Sequence, residues 1–493
     1  MSRRLLAPAI IAAVLAGGGG AGGRAAAAEN PVSPAPAAPA VANAADAPAP
    51  VDGTEQSRAR DAAYQEFRGH FEAGRYNEAL PPAERVVALS ETLNRNGRDL
   101  ATALSNLGAT QYRLGDFIAA ENAYGRALKL IEEHGGASSR LLVTPLIGLG
   151  LTYQAGGRND VAAPLLERAV AISRHADGLF NPEQREALLP LIDSYLALAR
   201  WHDVDREEQY ALKISEREYG TSDVRLLPSL QRLAHWYELG HRTNAARRVW
   251  QRMLVIASDR AHQNVSGVVT ALRGYARTFR LDYQYGPDLN PEESAVGGNL
   301  GISPDAPQRD AFGRRINRES QGDYRLDAMG KDALESALGL VEKIKPPPQQ
   351  ALAAISIDLG DWYQVSSHFD KALSYYQRAW PALPAESGTA EAPVNALARP
   401  AQLLYRAPPS AVRYKDQPAG EVSEKAAIAE FTVTADGRVK DVRFVGGDAS
   451  DAQKSAFASA LSHSIWRPRF VDGKPVATEK VRLRETFRQQ QKH

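Results

Sequence analysis

One spacing constrains this chain more than anything else in it. Val86, Ala127, Ala169, Ala211 and Met253 stand 41, 42, 42 and 42 residues apart. Each lies in the second half of a segment whose first half carries a matching head: Asn106-Leu107-Gly108, Gly148-Leu149-Gly150-Leu151-Thr152-Tyr153, Leu191-Ile192-Asp193-Ser194-Tyr195 and Leu233-Ala234-His235-Trp236-Tyr237. A period in this range is the mark of a solenoid, whose units bury their apolar faces only against their neighbours. Such an array presents an extended surface, so the chemistry to look for is the holding of partners.

At 493 residues the chain is too long for a single core, which agrees with an array plus further units. Its 59 Lys+Arg against 58 Asp+Glu give no basis for binding nucleic acid or an anionic membrane. The first 28 residues read as a secretory signal: Arg3-Arg4, an apolar run from Leu5 to Ala16, and small residues ending Ala26-Ala27-Ala28. That run is shorter than the roughly 20 residues needed to span a bilayer. The expectation is cleavage after Ala28, no membrane span in the mature chain, and a periplasmic location. There is no cysteine, which excludes a lipoprotein anchor of the bacterial kind, disulfides and thiolate metal sites.

Residues 29–56 are mostly Ala, Pro and Val and read as a disordered linker, since they lack the apolar bulk to offset ordering entropy. From 57 to 384 the pattern is helical. Each unit reads as two helices broken at a turn, as in Tyr112-Arg113-Leu114-Gly115-Asp116-Phe117-Ile118-Ala119-Ala120, where Gly supplies the left-handed cap of the first helix.

These landmarks resemble the tetratricopeptide repeat. The family's Leu and Gly of the first helix, turn Gly, aromatic and two Ala of the second helix correspond to Leu107, Gly108, Gly115, Phe117, Ala120 and Ala127; Leu149, Gly150, Tyr153, Gly157, Ala162 and Ala169 match likewise. The period exceeds the family's usual 34 or so and looks like the kinesin-light-chain type of long repeat. The resemblance implies a right-handed helical solenoid, here of about seven helix pairs. A stretch rich in Gly, Pro, Asn and Asp, 282–323, reads as a loop inserted in the sixth unit. The last unit, with Leu359-Gly360, Tyr363, Phe369, Ala372, Tyr376 and Ala379, matches the family most clearly.

Residues 385–420 return to Ala, Pro and polar composition and read as a second linker or partly ordered lead-in. Beyond them the period becomes alternating. Two strands, Ala429 to Val433 and Val439 to Val445, flank an Asp436-Gly437 turn; Ala449 to Ser462 reads as a helix and Val476 to Phe487 as a third strand. With Trp466-Arg467-Pro468 and Asp472-Gly473-Lys474-Pro475-Val476, residues 421–493 resemble the C-terminal domain of TonB. That resemblance implies docking on an outer-membrane receptor by strand addition, although the stretch from Trp to Pro is shorter than is usual and the long Pro-rich spacer of energy transducers is missing. The fold class is mainly α, with a small α+β domain of three strands and one helix at the C-terminal end.

No zinc-protease motif, nucleophile elbow or phosphate-binding loop is present, and Gly148-Leu149-Gly150 lies inside a repeat helix, where packing explains it. No catalytic residue, cofactor or metal is expected. The family's groove is lined by first helices, and the polar candidates there are Arg68, Asn106, Arg113, Gln154, Asp193, Arg232 and His235. On the last strand Lys480, Arg482 and Arg484 either flank a docking edge or keep that edge from aggregating. The partners expected are proteins or peptides of the cell envelope, outer-membrane receptors among them.

Overall fold

The computed structural model describes residues 55–93, 97–259, 264–285, 324–384, 395–408 and 424–488. The residues read as a signal, 29–54 of the expected first linker, and most of the expected insertion and second linker lie outside this set, while Glu55 and Gln56, read as the end of the first linker, are helical. The described residues fall into two compact units that divide between Gly220 and Thr221.

The first unit holds four helix pairs: α1 (Glu55–Glu72) with α2 (Tyr76–Leu93), α3 (Arg98–Leu114) with α4 (Phe117–Gly135), α5 (Val143–Ala155) with α6 (Asn159–Asp177), and α7 (Arg185–Ala197) with α8 (Trp201–Tyr219). Small residues let the helices of a pair, and successive pairs, approach closely. A Cβ on Gly148 would lie 2.2 Å from the ring of Tyr124, and one on Gly108 would lie 3.0 Å from it. Tyr124, wholly buried, thus fills the space between α3 and α5. This is the physical content of the Gly-Leu-Gly head: it is a packing notch, and no strand precedes it.

The turn between the helices of a pair needs one left-handed residue. Gly74, Gly115, Gly157, Ala199, His241 and Ser367 all have φ between 55° and 80°, and the first five stand 41 or 42 residues apart. Half of these positions are not glycine, so the repeat maintains the turn at some conformational cost.

The second unit contains three more pairs and the C-terminal domain. Helix α9 (Leu227–Leu239) packs on α10 (Thr243–Ala257), α11 (Val265–Tyr285) on α12 (Tyr324–Glu342), and α13 (Gln349–Val365) on α14 (Phe369–Ala379). Residues 282–323 are expected to form the inserted loop, and its first residues do not. Residues 282–285 continue helix α11, and Asp282 accepts from both Thr243 and Arg247, a pairing that the loop reading missed.

The C-terminal domain has strand β1 (Ala401–Leu404), β2 (Glu424–Val433), β3 (Val439–Gly447), helix α15 (Asp451–Ser462), and strands β4 (Ile465–Arg467), β5 (Arg469–Val471), β6 (Lys474–Val476) and β7 (Thr478–Arg488). Strands β3, β2 and β7 form an antiparallel sheet in that order, while β1 pairs with β4 and β5 with β6. Helix α15 opens with a reciprocal cap between Ser450 and Gln453. It buries Phe457 and Leu461 against Ala427, Ala429, Phe431, Val433 and Phe487 of the sheet.

Within 385–420, residues 395–408 are an ordered lead-in and not a linker. Strand β1 is paired, Leu397 is fully buried, and its carbonyl accepts from the Phe470 N–H at 2.7 Å. The domain is also seated on the last repeat. Phe470 packs edge-on against Tyr376 with ring centroids 5.5 Å apart, in a cluster with Ala353, Ile357, Ala372 and Ala379. The Gln364 amide donates to the carbonyls of Asp436 and Trp466 at 2.8 and 3.1 Å. The physical reason is that a terminal repeat exposes an apolar end that needs covering, and here the covering is a folded domain.

Candidate functional site

The first unit carries a groove of about 420 Å³ that runs from α1 to the first turn of α7. Its wall comes from the N-terminal halves of first helices, at Arg60, Tyr64, Asp99, Thr102, Asn106 and Thr144, and from the ends of second helices and the loops after them, at Ser90, Ile131, Arg140, Asp177 and Glu183. Much of the charge is internally matched. Arg60 reaches Asp99 at 2.8 Å, and Arg140 reaches Asp177 at 2.8 Å and Glu183 at 2.5 Å, tying successive repeats together. Arg98 and Glu186 also line the groove. A concave wall of apolar patches with a few fixed polar groups suits an extended chain segment.

Of the seven first-helix candidates, the structure brings only Asn106 to this groove. Arg68 is exposed and pairs with Glu72 at 2.6 Å on its own helix. Arg113 lies over the ring of Tyr76 at 5.6 Å. Gln154 donates to the Pro190 carbonyl at 2.6 Å and the Ser194 hydroxyl at 2.7 Å, so it bridges α5 and α7. Asp193 is exposed and Arg232 half-buried, and each has contacts of its own. His235 stands 3.1 Å from Glu238 and edge-on to Trp250.

Arg113 and Gln154 lie in the last turns of their helices, and Arg232 and His235 belong to the second unit, whereas the groove follows the first halves of first helices and the loops before them. The signal that was available is the polar run between units, such as Ser139-Arg140 and Asn181-Pro182-Glu183, which must face solvent yet returns with the period.

Glu238 is a buried hub of the second unit. Its carboxylate accepts from Trp250 Nε1 at 2.7 Å and pairs with Arg277 at 3.0 Å and His235 at 3.1 Å. Burial acts to raise its pKa, but Arg277 and then the bond and charge of His235 outweigh it and hold the carboxyl down at about 2. A second hub is Asp361, which accepts from the Tyr376 hydroxyl at 2.9 Å, Arg280 at 3.0 Å and Arg467 at 3.2 Å. Both Asp361 and Arg467 are buried. These networks join helices to one another, and in the case of Arg467 join the C-terminal domain to the last repeats.

On the C-terminal sheet, β7 is an outer strand among the described residues. Lys480 occupies a left-handed position where the pairing with β2 slips. Arg482 reaches the buried carboxylate of Glu430 at 2.8 Å, and Arg484 is exposed opposite Ile428. Among the described residues no group of three or more His, Asp or Glu is placed to hold a metal ion. No described helix is long and apolar enough to cross a membrane.

The helical part of the chain is a tetratricopeptide-type solenoid. A family model of the tetratricopeptide repeat matches residues 68–133 and 99–175, so this stretch carries tetratricopeptide repeats, a helical scaffold suited to protein–protein interaction. Among solved structures, the nearly identical repeats of a putative kinesin light chain from Podosopora anserina are 19% identical; the match covers 42% of this chain and 98% of that one, with a TM-score of 0.38. BtubC from P. vanneervenii is 18% identical over 55% of this chain and 97% of its own, with a TM-score of 0.34. The apo form of RapI is 14% identical over 67% and 97%, with a TM-score of 0.36. No curated protein matches the chain.

Proposed function

We propose that this chain is a non-enzymatic adaptor of the bacterial periplasm, which holds one protein partner in the groove of its N-terminal repeats and a second on its C-terminal α+β domain. The observation that carries the reading is the groove itself, about 420 Å³ and running from α1 to the start of α7. The periplasmic location rests on the signal-like first 28 residues. The second site rests on the TonB-like marks: Trp466 lies in β4, buried against Phe431, and Pro475-Val476 lie in β6. Contact with an outer-membrane receptor by strand addition is the corresponding form of the second partnership.

The C-terminal domain does not hang from a free tether in this reading, because it is seated on the last repeat. Carrying two sites on one chain raises the effective concentration of one partner near the other.

The test is site-specific photocrosslinking in the native envelope. A photoreactive residue at Thr102, in the groove, is expected to trap a partner that one at Ile118, which is 78% exposed and outside it, does not. Equal trapping at both positions, or recovery of the chain from the cytoplasm with Met1 retained, would overturn the proposal.

A further inference from the structure

The open face of the C-terminal sheet carries four cations around one carboxylate. Alternation along β2 turns Ala427, Ala429, Phe431 and Val433 toward α15, and Ile428, Glu430 and Thr432 to the opposite face. The register then sets Lys440 opposite Thr432, Arg443 and Arg482 on either side of Glu430, and Arg484 opposite Ile428. All four cations are exposed. They span three strands around a single carboxylate, and Arg443 and Arg482 both already bond to it. Lys440 and Arg484 make no ion pair among the described residues. Near one end of the sheet Asp448 is engaged by the Ala426 N–H at 2.8 Å, with Lys425 and Arg484 adding a weaker attraction from further away.

The two outer strands differ. Strand β3 breaks register twice against β2, and Asp441 within it has φ 55°. Strand β7 breaks register once, near Lys480, and from Val481 to Arg488 runs in unbroken pairing. A bulged strand resists further pairing, so β7 is the edge fitted to accept a chain.

We infer that this domain binds an extended acidic segment of a protein, laid along β7 with carboxylates reaching Arg484, Arg482 and their neighbours on the open face. The inference rests on the reading of the C-terminal domain as a partner-binding module and specifies that partner's chemistry. Guanidinium groups match carboxylates in a two-pronged geometry. An extended chain adds main-chain hydrogen bonds that neither a lipid headgroup nor a nucleic acid provides at a strand edge. The balanced charge of the whole chain, 59 against 58, supplies no general attraction for polyanions.

The test uses the intact protein and labelled peptides of about ten residues, the length of a typical long strand. One alternates Val and Glu, and its partner replaces each Glu by Gln. The acidic peptide is expected to bind at least about tenfold more tightly than the neutral one, and to weaken as salt is raised. Arg484→Glu should weaken the acidic peptide several-fold and leave the neutral one unchanged, whereas Lys440→Glu, on β3 with β2 and β7 between it and the added strand, should leave both nearly unchanged; neither side chain touches Glu430, and unfolding midpoints check that both variants fold. Equal binding of the two peptides, unaffected by either variant, would overturn the acidic specificity and leave strand addition standing. Binding of neither peptide would overturn both. Phosphatidylglycerol vesicles or oligothymidylate binding as tightly as the acidic peptide would identify a general polyanion patch and overturn the inference.

Discussion

Two kinds of joint recur in this molecule and they handle charge in opposite ways. At the turns of the repeats a tyrosine donates to a glutamate of the preceding unit, and a cation from the turn covers the ring. Tyr153 reaches Glu121 at 2.8 Å beneath Arg158, and Tyr195 reaches Glu167 at 2.8 Å beneath Arg200. Tyr363 and Glu335 repeat the pairing at 3.4 Å, with Lys371 of α14 over the ring in place of a turn cation. These rungs sit at the surface, with the side chains of Arg200 and Glu167 each 41% exposed. Where the last repeat meets the C-terminal domain, Asp361 and Arg467 are instead 5% and 7% exposed. A rung can exchange its partner for water, whereas a buried pair has no such alternative, so the first joint tolerates damage and the second does not.

The largest expected effect breaks the buried joint. Arg467→Ala leaves Asp361 in the interior with Arg280 and Tyr376 alone, and should cost about 3–5 kcal/mol. Arg200→Ala, at a rung, should cost about 0.2–1 kcal/mol. Urea unfolding of the two variants tests this, and similar losses would show that the distinction between the joints is wrong. The same argument bears on truncation. A chain ending at Pro384 would uncover Tyr376, Ile357 and the Asp361 site, so loss of binding in such a chain would not by itself locate a partner.

How much of this was readable beforehand follows from the physics of each joint. The helix pairs were legible because a solenoid repeats its local contacts, and Gly108, Gly148 and Gly360 each mark a close approach to an aromatic ring. The central sheet was legible from alternation and from the Asp436-Gly437 turn. The seating of the domain was not. It depends on Gln364, Asp361, Arg467 and Phe470, which are far apart in sequence and belong to no periodic pattern. Segment 395–408 was legible only as a partly ordered lead-in: a four-residue strand, Ala401–Leu404, owes its pairing to tertiary contact and has little signal of its own. The groove was half legible. Its existence follows from the repeat, but its wall runs past the first turns of the helices, and only Asn106 among the chosen residues lies there.

Glu238 sharpens the comparison through pH. Its carboxyl is lowered from 4.5 to about 2 in the folded chain, so the folded state binds its proton less readily than the unfolded state does. The resulting stability is fully present above about pH 4.5 and is lost as pH falls toward 2, on the order of 3 kcal/mol in all. Wild-type protein should therefore lose stability through this window, and Glu238→Gln should be less stable near neutral pH yet show a shallower loss below pH 4.5. Parallel curves for the two would remove Glu238 from the set of buried joints.

The smallest effect concerns the backbone beneath the rungs. Ala199 holds φ 56° at a turn where Gly157, one period earlier, holds 73°. A left-handed conformation costs a residue with a Cβ about 1–2 kcal/mol, while glycine gives back part of this because its unfolded chain is freer, about 0.4–1 kcal/mol. Ala199→Gly should therefore stabilise the first unit by about 0.5–1 kcal/mol, and Gly157→Ala should destabilise it by about as much. The added methyl has room, since nothing lies within 4 Å of a Cβ at Gly157, so the two variants isolate the torsional cost from packing. Opposite signs in thermal unfolding would mean that the turns are interchangeable units of the repeat. Equal signs would mean that the rung of Tyr195, Glu167 and Arg200 fixes the Ala199 turn more tightly than its own backbone preference does.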